Sequence, residues 1–374
     1  MHPISIALVC LVLVEWTRSV KIFHLIDNEN WGETDGSAVQ GRFNCPGQDT
    51  NSVCEVLSSD CKSDLVGCLR KKRKKFIDVA LGDIVVSLYH IHSWGLLSKW
   101  PHAPDNCLFP SHYSMVESEE SHGRFHKLFD TSFKTYDGNS TTHPDSTVPR
   151  TYFSGLNNSK FLPMKSFWNL IKGASFVAST CHRVEGTTKR IAVVNQLQSE
   201  FRVDSLGRCH TTRSIPEGIV LRSGRNAQES LRLKQEAISH YMFYCAFENT
   251  YERGYVTEKV FDALIAGVVP IYLGPSEDCR QLLPHPKAAI FLDDFDHSIP
   301  RLAAYLKHLA GNETAYEVHR AWRADFDPRL SPRLFAQPWP CRICEWAVAR
   351  ASQDVLFRQR EERMQKFIQS TEDC

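Results

Sequence analysis

The chain has 374 residues, and its 44 lysine and arginine residues nearly balance 43 aspartate and glutamate residues, for a formal net charge of +1. This length is sufficient for two or three domains of about 150 residues, each with its own core. A content of 42% hydrophobic, 23% charged and 11% aromatic residues is typical of globular proteins and excludes a disordered, fibrous or multi-pass membrane protein. The near-zero net charge disfavours a nucleic-acid-binding protein, which usually has a strong basic excess. We therefore expect any anionic ligand to be bound by a few local basic groups.

Residues 4–14 form an apolar run, interrupted by a single serine, close to the N-terminus. The run is too short to span a bilayer as a helix, which takes about 20 residues, but it has the length of a signal-peptide core. A buried first strand is the alternative interpretation. Three Asn-x-Ser/Thr sequons, at Asn139, Asn157 and Asn312, are candidates for N-glycosylation. We therefore predict a signal segment or short membrane anchor at residues 1–20 and a protein of the secretory pathway.

The cysteine content agrees with an oxidising compartment. Of the 13 cysteines, Cys341 and Cys344 form a CxxC pair. A zinc site would need a second close pair, and the sequence contains no other CxxC. We therefore predict that Cys341 and Cys344 form disulfides, either with each other or with the cysteines of residues 45–68. Because the number of cysteines is odd, at least one is free or pairs outside the chain.

Short strands and helices are predicted along the rest of the chain. Strands are predicted at residues 83–89 and 176–179, where apolar runs are too short for helices. Residues 138–149 are rich in Asn, Ser, Thr and Pro and are predicted to form a loop or linker. Helices are predicted over residues 190–201 and over residues 345–369, which are rich in helix formers.

Residues 241–275 have the pattern of a strand–helix–strand unit. Tyr241–Phe247 is an aromatic and apolar strand, and residues 268–273 supply the next buried strand. Between them, Thr257 suits the N-cap of a helix, apolar residues follow at helical spacing, and Gly267 suits the position after the helix. Such a unit predicts a parallel sheet with a right-handed crossover.

The segment between this strand and this helix, residues 248–259, is predicted to lie at the carboxyl edge of the sheet. Ligands of open parallel sheets bind at that edge, and the amides and dipole of a helix N-terminus favour phosphate. Lys259 lies in the first helical turn, where the helix dipole disfavours a cation. A lysine at this position indicates an anion beside it, and a solvated surface lysine is the alternative.

These segments resemble the α1,3-fucosyltransferases. The donor-site signature of that family, FEN followed by Y-[VI]-T-E-K, is matched without a gap by Phe247-Glu248-Asn249 and by residues 255–259. Leu206 stands where the family usually has tyrosine in its DSYG string. The other segments similar to the family are residues 176–181, Lys189-Arg190, residues 203–210, residues 267–270, residues 273–275, residues 322–326 and the Cys341–Cys344 pair. The resemblance therefore covers about residues 176–344, somewhat under half of the chain.

The resemblance implies an α/β fold with two Rossmann-like lobes facing a cleft, the GT-B type. Residues 21–165 would form an acceptor-side α/β lobe after the N-terminal segment. Residues 166–335 would form the GDP-fucose-binding α/β lobe. Residues 336–374 would form the CxxC pair and a closing helical tail.

The resemblance also implies an inverting enzyme that transfers L-fucose from GDP-fucose. Arg190 and Lys259 are the expected clamp on the diphosphate, since arginine can bind it in a bidentate way. The other donor-binding residues carried over, which would hold the ribose and the fucose or line the same wall, are Glu248, Asn249, Tyr255 and Glu258.

A single inverting displacement needs a base for the incoming hydroxyl. The family carries a Glu-Ser pair in the acceptor lobe, often followed by proline. Here Glu117 and Glu120 each precede a serine, and neither pair has the proline. We choose Glu117 as the catalytic base, because its Ser-Met-Val-Glu context is similar to one version of the family motif, with Glu120 as the alternate. A solvated surface charge is the other interpretation of either glutamate.

We predict that the acceptor is GlcNAc of glycoprotein glycans in α1,3 linkage, with the N-glycan core GlcNAc favoured by the context of Cys341 and Cys344. The alternatives are a protein O-fucosyltransferase and a non-catalytic lumenal protein that binds carbohydrate or nucleotide. The expected partners are GDP-fucose and a GlcNAc-containing glycoprotein, with no nucleic acid and with membrane association through the N-terminus. The Golgi lumen or membrane is the expected location.

No metal cofactor is predicted to be required, and stimulation by Mn²⁺ is left open. Residues 294–296 and 325–327 have the Asp-x-Asp form with which other glycosyltransferases bind a hard cation. They occur where the resembling family has variable acidic residues, so we interpret them as structural. A metal-dependent transferase would instead lose its activity when Asp294 and Asp296 are replaced.

Overall fold

The computed structural model describes ten ranges and one single residue of the chain: residues 20–25, 41–43, 54–58, 84–90, 112–118, 136–153, 155–181, 185–209, 219, 226–328 and 337–353. The features predicted at residues 1–19, at Glu120 and at residues 354–369 lie outside the described residues.

A six-stranded sheet forms the first lobe. Its strands are β1 (Val20–Leu25), β2 (Gly41–Phe43), β3 (Cys54–Ser58), β4 (Ile84–His90), β5 (His112–Glu117) and β6 (Gly138–Ser140). The order across the sheet is β2-β3-β1-β4-β5-β6, and every neighbouring pair is parallel except β2 with β3. Strand β4 confirms the strand predicted at residues 83–89, and its alternate residues Ile84, Val86 and Leu88 are fully buried.

A five-stranded parallel sheet forms the second lobe. Its strands are β7 (Ile171–Phe176), β8 (Val203–Ser205), β9 (Tyr241–Phe247), β10 (Val269–Leu273) and β11 (Ile290–Phe291), in the order β11-β10-β9-β7-β8. Strand β9 has the predicted bounds, whereas the prediction of a strand at residues 176–179 is wrong. Strand β7 ends at Phe176 and includes Lys172 and Gly173, which lie at an irregularity of its ladder with β9 between Ile171 and Ala174. The strand is defined by backbone pairing, to which the apolar pattern is insensitive.

Helices cover both faces of the second sheet. The helices of the described residues are α1 (Glu185–Glu200), α2 (Ala227–Ile238), α3 (Glu258–Ala266), α4 (Ser276–Leu282), α5 (Ile299–Gly311), α6 (Glu313–Glu317) and α7 (Trp339–Gln353). The unit β9-α3-β10 is the predicted strand–helix–strand unit, and its strands are parallel. Gly267 ends α3 with a φ of 75°, the left-handed conformation that favours glycine.

The core of the second lobe lies on both sides of this sheet, as expected for a buried parallel sheet. All seven residues of β9 are buried. Phe243 and Phe247 pack with α1 and α5 on one side, and Tyr244 and Ala246 pack with α3 on the other. The predicted α/β class with two Rossmann-like lobes is confirmed.

The chain crosses between the lobes in two places. Phe153, which lies before the predicted boundary at residue 165, packs in the core of the second lobe and stacks on Phe261 with ring centroids 4.2 Å apart. Near the C-terminus, α7 returns to the first sheet, where Ile343 and Ala347 pack among the side chains of β4. The helix predicted within the closing tail is therefore part of the first lobe's core.

The prediction of a loop over residues 138–149 is wrong for its first three residues, which form strand β6. Their local propensity for a strand is low, but β6 pairs in parallel with β5 and is covered by α7. Trp339 donates a hydrogen bond from Nε1 to Ser140 Oγ at 2.8 Å, and a Cβ atom on Gly138 would lie 2.9 Å from the Trp346 ring. Tertiary contacts therefore override the local propensity here.

Candidate active site

The candidate site lies where β9 ends and α3 begins. Glu248 and Asn249 directly follow the buried strand, and Glu258 and Lys259 form the first turn of the helix. The first turn is brought back to the strand because β9, α3 and β10 form one parallel unit. Carboxyl ends of parallel strands and helix N-termini are the usual ligand-binding edge of such a sheet.

Glu248 is an internal carboxylate of this edge. It has no exposed surface, and it accepts hydrogen bonds from the Thr257 amide at 2.8 Å, from the Thr257 hydroxyl at 2.8–2.9 Å and from Lys259 Nζ at 3.0 Å. Thr257 precedes α3 as predicted, but its hydroxyl donates to Glu248 and does not cap the helix amides. Burial raises the pKa of Glu248, and Lys259 and the Thr257 hydrogen bonds oppose that shift. Glu248 therefore fixes Thr257 and Lys259.

Lys259 lies between two carboxylates. Its Nζ is 3.0 Å from Glu248 Oε2 and 3.6 Å from Glu258 Oε1, and it donates to the Thr257 hydroxyl at 2.6 Å. Burial alone would lower the pKa of Lys259, but Glu248 and Glu258 overcome it, so the pKa is raised. For Glu258, burial would raise the pKa, but Lys259 and Lys234 lower it to about 2. Both Lys259 and Glu258 are therefore charged at neutral pH.

Arg190 supplies a second cation from α1. Its side chain is 4% exposed, Nη2 donates to the Thr180 carbonyl at 2.7 Å, and Cζ lies 6.0 Å from the Phe176 ring centroid. Among the described residues, Nε has no hydrogen-bond partner and no carboxylate forms an ion pair with this guanidinium. Burial lowers the pKa of Arg190, and Tyr244, Glu248 and nearby tyrosines oppose that shift. A buried guanidinium with a vacant donor is well suited to an anionic ligand.

Asn249 and Tyr255 complete the predicted donor-binding set. Asn249 is half-buried, and its Oδ1 has no hydrogen-bond partner among the residues that the structure describes. Tyr255 is buried and packs edge-to-face on Tyr152, with ring centroids 6.3 Å apart. Tyr255 also interacts electrostatically with Arg190. The structure thus places all six predicted donor-binding residues around one edge of the second sheet.

Gly186 is a contributor that the sequence did not reveal. A Cβ atom there would lie 2.2 Å from the carbonyl oxygen of Asn249, so only glycine permits this approach of α1 to the chain after β9. Arg190 lies one turn further along the same helix. Gly186 lies four residues before the helix predicted at residues 190–201, so the pattern of the sequence did not place it in that helix.

A disulfide between Cys181 and Cys209 supports the same edge, with a Cα–Cα distance of 5.6 Å. It joins the segments that follow β7 and β8, and it lies next to the Thr180 carbonyl that accepts the hydrogen bond from Arg190. The sequence placed both cysteines in family-like segments without pairing them.

The predicted base, Glu117, ends strand β5 in the first lobe. Its side chain has no exposed surface, and its Oε2 lies 2.6 Å from Nη1 of Arg150 in a buried ion pair. Arg150 in turn stacks on Trp339, with Cζ 4.2 Å from the ring centroid. The base role stays a prediction for Glu117, and Glu120 lies outside the described residues.

Both disulfide candidates, Cys341 and Cys344, are disulfide-bonded in the structure. Cys344 is bonded to Cys54, at a separation of 290 positions in the sequence. The CxxC cysteines are therefore not bonded to each other, and Cys344 pairs with the region of residues 45–68. Cys245 and Cys279 are buried free thiols.

The Asp-x-Asp residues of the 294–296 segment are engaged by arginines. Asp294 lies 2.6 Å from Arg280 Nη2, and Asp296 forms an ion pair with Arg301. No group of three or more His, Cys, Asp or Glu side chains that could hold a metal ion occurs among the described residues. In the same part of the chain, no helix is long and apolar enough to cross a membrane.

The sequons differ in exposure. Asn157 and Asn312 are exposed and begin short helices, with Oδ1 accepting from the Ser159 amide at 3.0 Å and from the Ala315 amide at 3.0 Å. Asn139 is half-buried in β6, and its Oδ1 accepts from the Thr147 amide at 2.6 Å. Exposure therefore favours glycosylation at Asn157 and Asn312 and disfavours it at Asn139.

Comparisons with known proteins place residues 171–363, which include the six donor-binding candidates, in a family. The protein-family model for glycosyltransferase family 10 (fucosyltransferase) C-term matches residues 171–363 of this chain. GDP-fucose protein O-fucosyltransferase 3 of Homo sapiens is 30% identical over 238 residues, 62% of this chain and 47% of that protein. The 4-galactosyl-N-acetylglucosaminide 3-alpha-L-fucosyltransferase of Gorilla gorilla gorilla is 34% identical over 157 residues, 42% of this chain and 37% of that protein. The chain thus spans less than half the length of these relatives.

A solved structure is also similar. The crystal structure of an alpha1,3-fucosyltransferase has a TM-score of 0.48 and 16% sequence identity, over 91% of this chain and 92% of that chain.

Proposed function

Because this chain belongs to glycosyltransferase family 10, the fucosyltransferases, we propose that it transfers L-fucose from GDP-fucose to a glycan. The observation that carries this proposal is the pair of cations at the edge of the second sheet, of which Arg190 is buried and Lys259 is partly buried. Arg190 has a vacant Nε, and Lys259 is held in the first turn of α3. Two such groups suit a diphosphate leaving group, whose charge grows as the bond to the sugar breaks.

The other donor-binding residues suit the nucleoside and the sugar. The vacant Oδ1 of Asn249 accepts hydrogen bonds, as does the ionised carboxylate of Glu258, so both suit the hydroxyl groups of ribose or fucose. Glu248 is enclosed by Thr257 and Lys259, so its part in donor binding is to position Lys259. We assign it no direct contact with the donor.

The proposed linkage is α1,3 to GlcNAc, with the core GlcNAc of N-glycans as the favoured acceptor. Support for the linkage comes from the relative of Gorilla gorilla gorilla, whose name describes transfer to the 3-position of a 4-galactosyl-N-acetylglucosaminide. The preference for the core GlcNAc rests on the sequence context of Cys341 and Cys344 alone. The reaction would proceed with inversion, by one displacement in which the acceptor oxygen attacks the anomeric carbon and GDP leaves. A retaining glycosidase, in contrast, uses two carboxylates and a glycosyl-enzyme intermediate.

Glu117 is the proposed base of that displacement. It ends a strand of the first parallel sheet, at the edge where functional side chains of such sheets occur. Its ion pair with Arg150 holds the carboxylate in one orientation, and the base takes the proton of the attacking hydroxyl as the new bond forms.

A two-part experiment tests the proposed function. The full chain, purified from a secretory expression host, is first titrated with GDP by calorimetry. It is then incubated with GDP-fucose and three acceptors: an N-glycan core glycopeptide, N-acetyllactosamine and a folded extracellular protein module. Mass spectrometry should detect a fucose on the core glycopeptide, and NMR should show the α1,3 linkage with inverted configuration. Failure to bind GDP would refute the proposed nucleotide site. Transfer to a different acceptor would refute only the proposed choice of acceptor.

Protein O-fucosylation is the second candidate. The similarity to the human GDP-fucose protein O-fucosyltransferase 3 extends over 62% of this chain, including part of the first lobe. Fucose found on a Ser or Thr side chain of the protein module, with none on the two glycans, would establish this candidate in place of the first.

We also propose that the transfer requires no metal ion. Asp294 and Asp296 are neutralised by Arg280 and Arg301, so replacing both aspartates with asparagine should leave the turnover nearly unchanged. Turnover in EDTA should likewise persist, and a loss that Mn²⁺ restores would contradict this proposal. We propose the Golgi lumen as the location, with the N-terminal segment as leader or anchor, which immunofluorescence beside a Golgi marker would test.

A further inference from the structure

A chain of charged side chains, of which Asp262 is fully buried and the others are partly buried, extends from the candidate site to helix α2. It begins at Lys259, continues through Glu258 and reaches Lys234 and Asp262. Lys234 lies on α2, which packs against α3, and its side chain is 16% exposed. None of the family-like segments of the sequence includes Lys234 or Asp262 as a donor-binding residue.

Asp262 lies on α3, and its carboxylate contacts two side chains of α2. It has no exposed surface, it forms an ion pair with Lys234 Nζ, and its Oδ1 accepts from Gln235 Nε2 at 2.7 Å. Burial would lower the pKa of Lys234, but Asp262 and the other nearby carboxylate raise it. Lys234 is therefore a cation in the folded protein.

Lys234 also reaches the active-site carboxylate. Glu258 and Asp262 are four residues apart on α3 and so lie on the same face of the helix. Lys234 Nζ lies 3.7 Å from Glu258 Oε1, and Lys259 Nζ lies 3.6 Å from the same oxygen. Glu258 therefore lies between two lysines. Lys259 is one of the proposed donor-binding residues, and Lys234 comes from the neighbouring helix α2.

The stability of the fold does not explain this arrangement. A buried ion pair pays a desolvation penalty, and well-packed apolar side chains of similar volume often give equal or greater stability. The charges matter more for an anionic ligand. Two lysines and three carboxylates, Glu248, Glu258 and Asp262, carry one net negative charge, and removal of Lys234 alone would double it beside the place of the diphosphate.

We propose that Lys234 and Asp262 form a positioning pair for the donor site. Asp262 anchors Lys234, and Lys234 holds Glu258 in the orientation that accepts the hydroxyl groups of the nucleoside or sugar. Because Lys234 shares the charge of Glu258, Lys259 is freer to exchange Glu258 for a phosphate oxygen. This role rests on the proposed binding of a GDP-sugar and adds two residues that do not touch the donor.

Two variants separate a positioning role from a structural one. Lys234→Met removes the cation and leaves Asp262 with Gln235 alone, so it should both lower the melting temperature and weaken GDP binding. The double variant with Lys234→Met and Asp262→Asn leaves no buried charge alone and keeps an acceptor for Gln235. The double variant should regain most of the melting temperature lost in Lys234→Met. Its Kd for GDP should stay about tenfold above wild type, which is within the range of coupling in an ionic network. Arg232→Met, an exposed position on the same helix, is the matched control and should change neither quantity.

Calorimetric titration with GDP and a thermal melt of each variant decide the outcome. Wild-type GDP affinity in the double variant would overturn the positioning role and leave a structural ion pair. Steady-state kinetics provide a second readout: the KM for GDP-fucose should rise in the double variant more than kcat falls. If the wild-type protein itself fails to bind GDP, the proposed function is refuted at that stage, so the two failures are distinguishable.

Discussion

Lys259 Nζ lies 3.0 Å from the Oε2 atom of Glu248, a carboxylate with no exposed surface. One cation of the candidate site therefore already has a buried counter-ion, whereas Arg190 has only the Thr180 carbonyl and a vacant Nε among the described residues. Removal of either charge should weaken binding of a diphosphate. The effect on stability should differ, because only Lys259 neutralises a buried carboxylate.

Replacement of Arg190 by glutamine should weaken GDP binding without unfolding the protein. Loss of one charge-assisted contact to phosphate costs ~1.5–3 kcal/mol, or roughly 10- to 150-fold in Kd. The melting temperature should hold or rise, since a desolvated cation without an acidic partner is removed. Calorimetry and a thermal melt test this, with Arg232→Gln as the exposed control, and an unchanged Kd for GDP would remove Arg190 from the site.

Replacement of Lys259 by methionine should weaken GDP binding and also destabilise the second lobe. The loss leaves the Glu248 carboxylate buried with the Thr257 hydrogen bonds alone, and breaking a buried pair costs about 3–5 kcal/mol. Adding Glu248→Gln should restore most of the lost stability, measured as the denaturant concentration at the midpoint of unfolding, because glutamine can still accept from Thr257. GDP affinity should stay low in the double variant. Recovery of both properties would show that Lys259 serves the fold and not the donor.

Replacement of Glu117 by glutamine should slow the transfer but preserve the Kd for GDP. Glutamine keeps the shape of the side chain and can accept from Arg150, but it cannot take up a proton. Because it also leaves the buried Arg150 without its counter-ion, a thermal melt must show that the variant is folded at the assay temperature. We expect turnover to fall by ~10²–10⁴, the usual contribution of positioned acid–base catalysis. Glu120→Gln is the matched control and should be nearly silent. The reverse result would assign the base to Glu120, and normal turnover in both variants would exclude a base at either position.

The two described disulfides should have different consequences when removed. Replacing Cys54 and Cys344 by serine should lower the melting temperature and spare GDP binding, because this bond ties α7 to the first sheet. Replacing Cys181 and Cys209 should weaken GDP binding, because the Thr180 carbonyl next to Cys181 anchors Arg190. Equal effects of the two pairs on GDP affinity would contradict this division. Non-reducing peptide mapping should find both bonds, with Cys245 and Cys279 as thiols that react only after unfolding.

Glycan occupancy should follow the exposure of the three sequons. We expect glycans on Asn157 and Asn312, which are exposed at helix starts. We expect none on Asn139, because it lies in β6 and its hydroxyl partner Thr141 is buried and hydrogen-bonded to Ser146. Glycopeptide mass spectrometry of protein from a secretory host measures this. A glycan on Asn139 of correctly folded protein would show that β6 forms only after modification.

Local sequence was sufficient to predict the unit β9-α3-β10. The apolar run of β9, the helical spacing in α3 and the glycine after it act within a few residues of one another, so the pattern carries the information. The same unit fixed the place of Glu258 and Lys259 in the first helical turn. It also predicted an anion beside Lys259, although it did not predict that Glu248 would be the neighbour.

The pattern failed where structure depends on partners distant in sequence. Strand β6 has a poor local propensity and exists because β5 and α7 lie against it. The glycine at position 186 matters because Asn249 lies against it, and the disulfide of Cys344 joins a cysteine 290 residues away.

The sequence by itself determined the family, the order of the elements around the candidate site and the residue types available to bind a nucleotide sugar. The tertiary structure decided which charges meet. Glu248 is an internal counter-ion of Lys259, and the Nε atom of Arg190 has no hydrogen-bond partner among the described residues. Lys234, on a neighbouring helix, lies near Glu258. The reason is physical: helices and strands follow from interactions within a few residues, whereas the pairing and burial of charges depend on how separate elements pack.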